Sequence, residues 1–247
     1  MTTGSYNAAF YDRADRSMFA ARIIIPILQS FLKIGSVLDV GCARGVWLSA
    51  WAESGCDDFM GVDGTNVASS KLAIDPAHFV ATDLSIPFNL GRRFDFVQCL
   101  EVAEHLPSTR SKTLVIDLVS HSDVVLFSAA PPGQGGECHI NEQPYDFWKS
   151  LFNEQGYIAF DCLRPIICRM HTIPFWYRYN PILYVKSEAI SKLSDRTALH
   201  RLSPEENITD VSPLAFRIRK AVLRTLTNNS ITLLARIIAR LGRQSPL

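Results

Sequence analysis

Five short runs of β-type residues, set between turns and helical stretches, constrain this chain more than any other feature. They are SVLDV at 36–40, DFMGVD at 58–63, HFVATD at 78–83, FDFVQCL at 94–100 and DVVLFSA at 123–129. Helices are expected near 45–54, 108–121 and 144–155. Short strands rich in Val, Phe and Leu that alternate with helices predict a parallel sheet covered on both faces. Two more strand candidates follow, YIAFDCL at 157–163 and ILYVK at 182–186, joined by the aromatic, proline-containing segment RMHTIPFWYRYNP. Ahead of the first run, residues 17–33 read as a helix opened by Ser17, with Pro26 a point where it kinks or restarts. A length of 247 residues fits one large α/β domain, or one domain with an appendage.

In an open parallel sheet, ligands sit outside the carboxyl ends of the strands. The first run enters VLDVGCARGVW, where Gly41 and Gly45 bracket a tight turn. The spacing Gly-x-x-x-Gly is not the Gly-x-Gly-x-x-Gly of dinucleotide folds, and alone it fits an ordinary strand-to-helix turn equally well. The acids add information. Asp39 precedes the turn, and Asp63 closes the second run, where a carboxylate can accept from both hydroxyls of a ribose. Asp83 closes the third run, placed to accept from an adenine amino group while Leu84 packs on the ring. Each acid alone reads as a solvated strand end. Three of them on successive strands at one rim predict a nucleoside site.

The ordered set VLDVGCARG, GVD, ATDLS and FDFVQCLEVAEHLP resembles the class I S-adenosylmethionine-dependent methyltransferases, over roughly residues 30–160. The resemblance implies a Rossmann-like α/β fold. Its sheet is mostly parallel, seven strands with one antiparallel, with helices on both faces. It also implies S-adenosylmethionine as cofactor. Asp39, Gly41 and Gly45 would then run along its methionine part, Asp63 would grip the ribose, and Asp83 with Leu84 would meet the adenine. One departure is Ala43, where the family often has glycine. A methyl there is expected to be tolerated at negative φ with its Cβ turned away.

A sulfonium methyl is already activated, so the protein must chiefly hold an acceptor in line with it. A hydroxyl acceptor also benefits from a base. His105, in LEVAEHLP after the fourth run, and His139, in the glycine-rich PPGQGGECHINEQP after the fifth, are the candidates. Plainer readings are a structural histidine and an ordinary polar loop. Glu101 lies four residues before His105, so one helical turn would put them on a shared face. It would orient the imidazole or contact the cofactor's amino group. No metal is expected. His139 with Glu137 or Glu142 is the nearest set, and nothing in the spacing favours it.

GQGGECHINEQPYDFW is similar to bacterial methyltransferases acting on sugars of glycolipids, polysaccharides and oligosaccharide signals. The pattern from NAAFYDRADRS through FWYRYNPILYV resembles the rhizobial nodulation enzymes that 2-O-methylate the fucose of lipochitooligosaccharide Nod factors. This implies a glycan or glycolipid acceptor. Phe147, Trp148, Phe175, Trp176 and Tyr177 would supply ring-stacking faces, and Asn141, Glu142 and Gln143 would bond hydroxyls. Core packing is the other reading of the aromatics, strongest for Phe147 and Trp148. A methyltransferase acting on a quinone or other small molecule, and a non-catalytic nucleoside-binding protein, are the competing functions.

Beyond about residue 190 the composition shifts, which divides the chain into a domain at 1–190 and a basic extension at 191–247. Residues 211–247 hold seven Arg or Lys and no Asp or Glu. Within ITLLARIIARLGR at 231–243, Leu234, Ile237, Ile238 and Leu241 form one helical stripe, with Arg236, Arg240 and Arg243 largely off it. Such a helix reads as a membrane-surface or partner-binding element, or as one packed on the domain with solvated arginines. A net charge of +1 gives no strong field toward nucleic acid. No Asn-Pro-Pro-Tyr-like motif follows the fourth run. The six cysteines show no CxxC pair or zinc-like spacing. With no secretory core at the N-terminus and no stretch of about 18 apolar residues, the expected setting is cytoplasmic, at most peripheral at the inner membrane face. Nothing in the sequence speaks to oligomeric state.

Overall fold

The structure, a computed structural model, describes residues 8–65, 67 and 71–225. Its centre is a seven-stranded sheet of β1 (Ser36–Val40), β2 (Asp58–Asp63), β3 (Phe79–Ala81), β4 (Phe96–Leu100), β5 (Val124–Ser128), β6 (Tyr157–Phe160) and β7 (Ile182–Lys186), in the order β3-β2-β1-β4-β5-β7-β6. The first five strands pair in parallel, and β7 runs antiparallel to both β5 and β6. The parallel core expected from the strand-and-helix alternation is present, and so is the Rossmann-like sheet of seven strands with one antiparallel that the resemblance implies.

Side-chain alternation along the strands builds two cores. Val37, Phe96, Val124 and Leu126 face a cluster with Ile24, Ile25 and Leu28 of α1 (Ala8–Phe31) and Leu48 and Trp51 of α2 (Val46–Glu53). Their neighbours Leu38, Val97, Val125 and Phe127 face the opposite cluster. There they meet Leu114 and Leu118 of α3 (Ser111–His121) and Trp148 and Phe152 of α4 (Tyr145–Glu154). Burial on both faces is why these strands read as continuous apolar runs. The first helix departs from expectation. It starts at Ala8, well before Ser17, and runs through Pro26 without ending.

The chain beyond β7 returns to the sheet. Leu202 N–H donates to the Ala159 carbonyl (2.9 Å) beside β6. Buried Lys149 donates to the carbonyls of Ser203 (2.8 Å), Pro204 (3.0 Å) and Glu206. A last described helix, α5 (Leu214–Leu223), lies under the loop that follows β5. Arg219 donates to the Gln134 carbonyl (2.9 Å) and Arg224 to that of Pro132 (2.8 Å). The amphipathic stretch 231–243 lies outside the described residues. Among those described, no helix is long and apolar enough to cross a membrane.

The order β3-β2-β1 then β4-β5 makes the β1/β4 boundary the point where successive connections depart in opposite directions. The crevice at such a switch point, outside the strand carboxyl ends, is where open α/β sheets bind ligands. The turn after β1 and the segment after β4 both open there.

Candidate active site

The turn after β1 is built for close backbone approach. Gly41 has φ +80, and its N–H donates to the Val62 carbonyl at 2.8 Å. A Cβ there would lie 2.3 Å from Val102 Cγ2. Gly45, at φ +75, opens α2, and a Cβ there would lie 2.8 Å from Ile74. Ala43 corrects the expectation of negative φ, because it sits at φ +48, in the left-handed region. Asp63 holds it there. One carboxylate oxygen accepts from the Ala43 N–H and the other from the Gly64 N–H, both at 2.6 Å. Asp63 thus ties the loop after β2 to the glycine turn, which leaves its remaining lone pairs for a ligand.

Asp39 is 4 % exposed. Burial pushes its carboxyl up to about 7, with Asp63 adding to the effect and Gln98 opposing it. It lines a cavity of about 190 Å³ together with Ser17, Gly41, Ala43, Trp47, Leu100 and Tyr177. Trp47 and Tyr177 meet edge to face at 5.2 Å, and the Tyr177 hydroxyl lies 3.3 Å from Ser17 Oγ. Asp83 stands two residues beyond β3 and is exposed. Hydrogen bonds from Ser85, including its N–H at 2.9 Å, hold the carboxyl below its ordinary range. Leu84 is buried in the core beneath it.

Across the switch point lies a second cavity of about 280 Å³. It is lined by Glu101, Glu104, His105, Gln134, His139, Phe175 and Trp176, with Gly135, Gly136 and Glu137. Leu100 and Tyr177 line the first cavity while their chain neighbours Glu101 and Trp176 line the second, so the two adjoin.

Glu101, at φ +58, does not pair with His105 as expected. Residues Ala103–His105 make only a single 3₁₀ turn, so no helix carries 101 and 105 on one face. Glu101 instead accepts from Asn180 Nδ2 (2.9 Å) and Gln134 Nε2 (2.8 Å), while Asn180 also donates to Gln134 Oε1 (2.9 Å). Burial raises its carboxyl above the usual range. Glu104, 1 % exposed, is raised further, by burial first and by Glu101 second.

The histidine rings do come together, edge to face with centroids 4.9 Å apart. His105 Nδ1 faces the Cys138 carbonyl at 3.3 Å, and burial with the neighbouring His139 lowers its pKa. His139 Nδ1 donates to Glu142 Oε1 at 2.8 Å, and Glu142 accepts also from the N–H groups of Gly133 (2.7 Å) and Gly135 (2.9 Å). The glycine-rich loop is needed here, since a Cβ at Gly136 would lie 2.1 Å from His139 Nε2.

The other sugar-contact expectations divide. Phe175 and Trp176 reach the second cavity, but Trp148 is 2 % exposed and packs on Phe127 at 4.9 Å, with Phe147 against it. Asn141 is buried, its amide spent on the Ala103 carbonyl (3.1 Å) and Ser111 Oγ (3.0 Å), and Gln143 donates back to Asn141 (3.0 Å). With Glu142 clamped in its loop, this polar trio is absent from the second cavity and lines instead a neighbouring one of about 330 Å³ that shares His139. Glu104, Gln134 and Asn180 went unanticipated. Among the described residues, the non-glycine positions with positive φ are Ala43, Glu101 and Cys138, all around these two cavities. Backbone strain kept in this way marks a functional site.

Residues 11–119 match a family model described as a methyltransferase domain. The Ubiquinone biosynthesis O-methyltransferase of Pseudomonas fluorescens (strain SBW25) is 32% identical over 85 residues, 30% of this chain and 35% of that protein. The protein of the same name from Bordetella avium (strain 197N) is 29% identical over 85 residues, 30% and 34% of the two chains. The chain thus spans about a third of the length of the curated relatives it matches. Among solved structures, Streptomyces venezuelae DesVI superposes with a TM-score of 0.56 at 14% identity, covering 74% of this chain and 97% of its own. The sugar N-methyltransferase KedS8 from Streptoalloteichus superposes with a TM-score of 0.53 at 16% identity, covering 75% and 98%. At these identities the likeness is one of fold.

Proposed function

We infer that the chain, whose residues 11–119 match the methyltransferase-domain model, transfers the methyl group of S-adenosylmethionine to a hydroxyl of a sugar. The carrying observation is the pair of adjoining cavities at the β1/β4 switch point. One is walled by the glycine turn and Asp39, the other by two histidines and two half-buried aromatic side chains. In this reading Asp39, Gly41 and Gly45 border the methionine part, Asp63 accepts from the ribose, and Asp83 and Leu84 border the adenine. Glu101, fixed by Gln134 and Asn180, stands at the wall between donor and acceptor. His105 and His139 face the acceptor hydroxyl, where an imidazole can take its proton. Phe175 and Trp176 offer apolar faces to a pyranose ring.

The sharpest form of the reading is the 2-hydroxyl of fucose on a lipochitooligosaccharide, which the resemblance of the loop at 133–148 and of the wider chain suggests. The basic stretch 231–243 would suit an amphiphilic acceptor at a membrane surface. The relatives named for ubiquinone biosynthesis favour a second reading, a quinone or other small molecule as acceptor. Labelled S-adenosylmethionine with a panel of fucosylated lipochitooligosaccharides, other glycolipids and quinone precursors decides between them by mass spectrometry of the products. Preference for a quinone precursor over every glycan overturns the sugar reading. Methylation of other glycans but not fucose overturns only its sharpest form.

Asp63→Ala is expected to weaken cofactor binding by about ten- to a hundredfold, since charge-assisted hydrogen bonds contribute about 1.5–3 kcal/mol. The clamp on Ala43 and Gly64 is lost together with the ribose acceptor. Calorimetry giving wild-type affinity in a folded variant would remove Asp63 from the site.

Asp39 ties affinity to pH. The cofactor carries a net positive charge, so it favours the carboxylate, and below about pH 7 binding must first expel a proton. Affinity is expected to fall by up to about tenfold per pH unit below that point. The cofactor-free protein has the opposite slope. An unfolded Asp39 titrates near 3.8 and the native one near 7. The native state therefore binds more protons between those values, and stability falls as pH rises through them. Asp39→Asn should flatten both profiles, read by calorimetry and by thermal melts across pH 5 to 8.

A further inference from the structure

Three side chains of the second cavity share a chemistry that methyl transfer to a hydroxyl does not by itself require. Glu104, His105 and His139 each bring one ligand-type atom to within 4.8 Å of the others. Nitrogen and oxygen donors about 2.1 Å from a metal ion stand roughly 3.4 Å apart in tetrahedral geometry, so small side-chain rotations would close the set. The rings are already oriented as ligands are. His139 Nδ1 is held by Glu142 and His105 Nδ1 by the Cys138 carbonyl. A carboxylate or carbonyl behind an imidazole fixes its tautomer and directs the other nitrogen to an ion. Glu142 is itself locked by two backbone N–H groups.

Glu104 gives the independent observation. The residue is 1 % exposed and lines the cavity, its Oε2 accepts from no N–H group of the described residues by strict geometry, and the side chain that approaches it is a second carboxyl, that of Glu101. Buried carboxylate oxygens are almost always paired with a donor or a cation. A cation between Glu104 and the two imidazoles would satisfy this oxygen.

We propose that Glu104, His105 and His139 bind one divalent first-row metal ion, with open positions facing the acceptor. Two imidazoles and one carboxylate suit manganese, iron, cobalt or zinc better than calcium. The ligand set stands without the methyltransferase reading, and the ion's role in catalysis rests on it. A sugar with neighbouring hydroxyls offers two oxygens to the open positions. A hydroxyl so bound is more acidic, and its proton passes to water at the cavity mouth. The oxygen then forms a bond to the methyl carbon, and the S–CH₃ bond breaks with its electron pair left on sulfur. The sulfonium becomes a neutral thioether, and the metal keeps its oxidation state. With the ion bound, both imidazoles are ligands and the ion takes over activation of the hydroxyl from them.

The test is titration of Co²⁺ into the chelator-stripped full chain, followed by visible absorption. One equivalent is expected to bind and give d–d bands. Glu104→Gln and His139→Asn should each weaken it by more than about tenfold, and Glu142→Gln by about 10–100-fold as an outer-shell change. Circular dichroism confirms the fold of each variant. Absence of stoichiometric Co²⁺ binding, or unchanged binding in folded Glu104→Gln and His139→Asn, overturns the site. S-adenosylmethionine affinity is measured separately by calorimetry on the same samples. Its loss in the wild type would overturn the methyltransferase reading, whatever Co²⁺ does.

Discussion

Replacing His139 by alanine is expected to lower turnover on the true acceptor by about 10²- to 10⁴-fold, the usual contribution of proton removal from the acceptor, whether the imidazole takes the proton itself or holds the ion that makes the hydroxyl acidic. Cofactor affinity should be nearly unchanged. The split follows from position, since His139 lines the second cavity and the glycine turn lines the first. His105→Ala should act in the same direction, since the two rings are in contact. Glu142→Gln should produce a smaller loss. Glu142 orients His139 and Gly135 through one oxygen and accepts from Gly133 through the other, so its neutral replacement turns one of these acceptors into a donor, loses the bonds made there and weakens the rest. Single-turnover kinetics with saturating cofactor measures the effect. Full turnover in both histidine variants would show that positioning alone drives the reaction.

The central sheet could be read from the sequence because its strands are short, apolar and buried on both faces. SVLDV, DFMGVD and ILYVK became β1, β2 and β7 with unchanged bounds. Where burial is one-sided or brief, the ends moved. β3 is only Phe79–Ala81, and two of its three residues are exposed, so the run to Asp83 had no core to hold it in the sheet. The start of α1 was missed for a different reason. Ser17 has the chemistry of a helix cap, but it lies within the helix and its hydroxyl meets Tyr177. A capping residue marks a start only when no helical segment precedes it.

Readability of the site followed sequence distance. The glycine turn and the strand-end acids are local patterns, and each element delivers its own residue to the rim. The network around Glu101 joins residues 101, 134 and 180, which come from three separate connections. No periodicity links them. The supposed pairing of Glu101 with His105 failed because spacing of four brings side chains together only on an α-helix, and this segment makes one 3₁₀ turn. Ala43 failed more instructively. Its left-handed backbone is imposed from outside, by the Asp63 carboxylate gripping its N–H. Propensity at position 43 cannot foresee a bond to a residue 20 positions away.

Gly41→Val is expected to weaken cofactor binding by at least about 30-fold while the sheet still folds. At φ +80 a residue with a Cβ carries a left-handed cost of about 1–2 kcal/mol. The new Cβ would also stand 2.3 Å from Val102 Cγ2, and overpacking of that kind typically costs 1–3 kcal/mol. Together these amount to roughly 2–5 kcal/mol, or about 30- to several-thousand-fold in affinity if the turn takes up the strain. The turn is where the strain can go, because Val102 is packed against the opposite core and the Gly41 N–H has a single bond, to Val62, to give up. Gly55→Ala separates steric approach from backbone conformation. Gly55 has φ +89, yet a Cβ there meets nothing within 4 Å. It carries the left-handed cost alone, far from the rim, and should lower the melting temperature by a few degrees with cofactor affinity intact. If calorimetry finds the two variants equally impaired in binding, close approach at position 41 is not what the glycine supplies. If Gly41→Val binds normally and is folded, the cofactor does not lie along this turn.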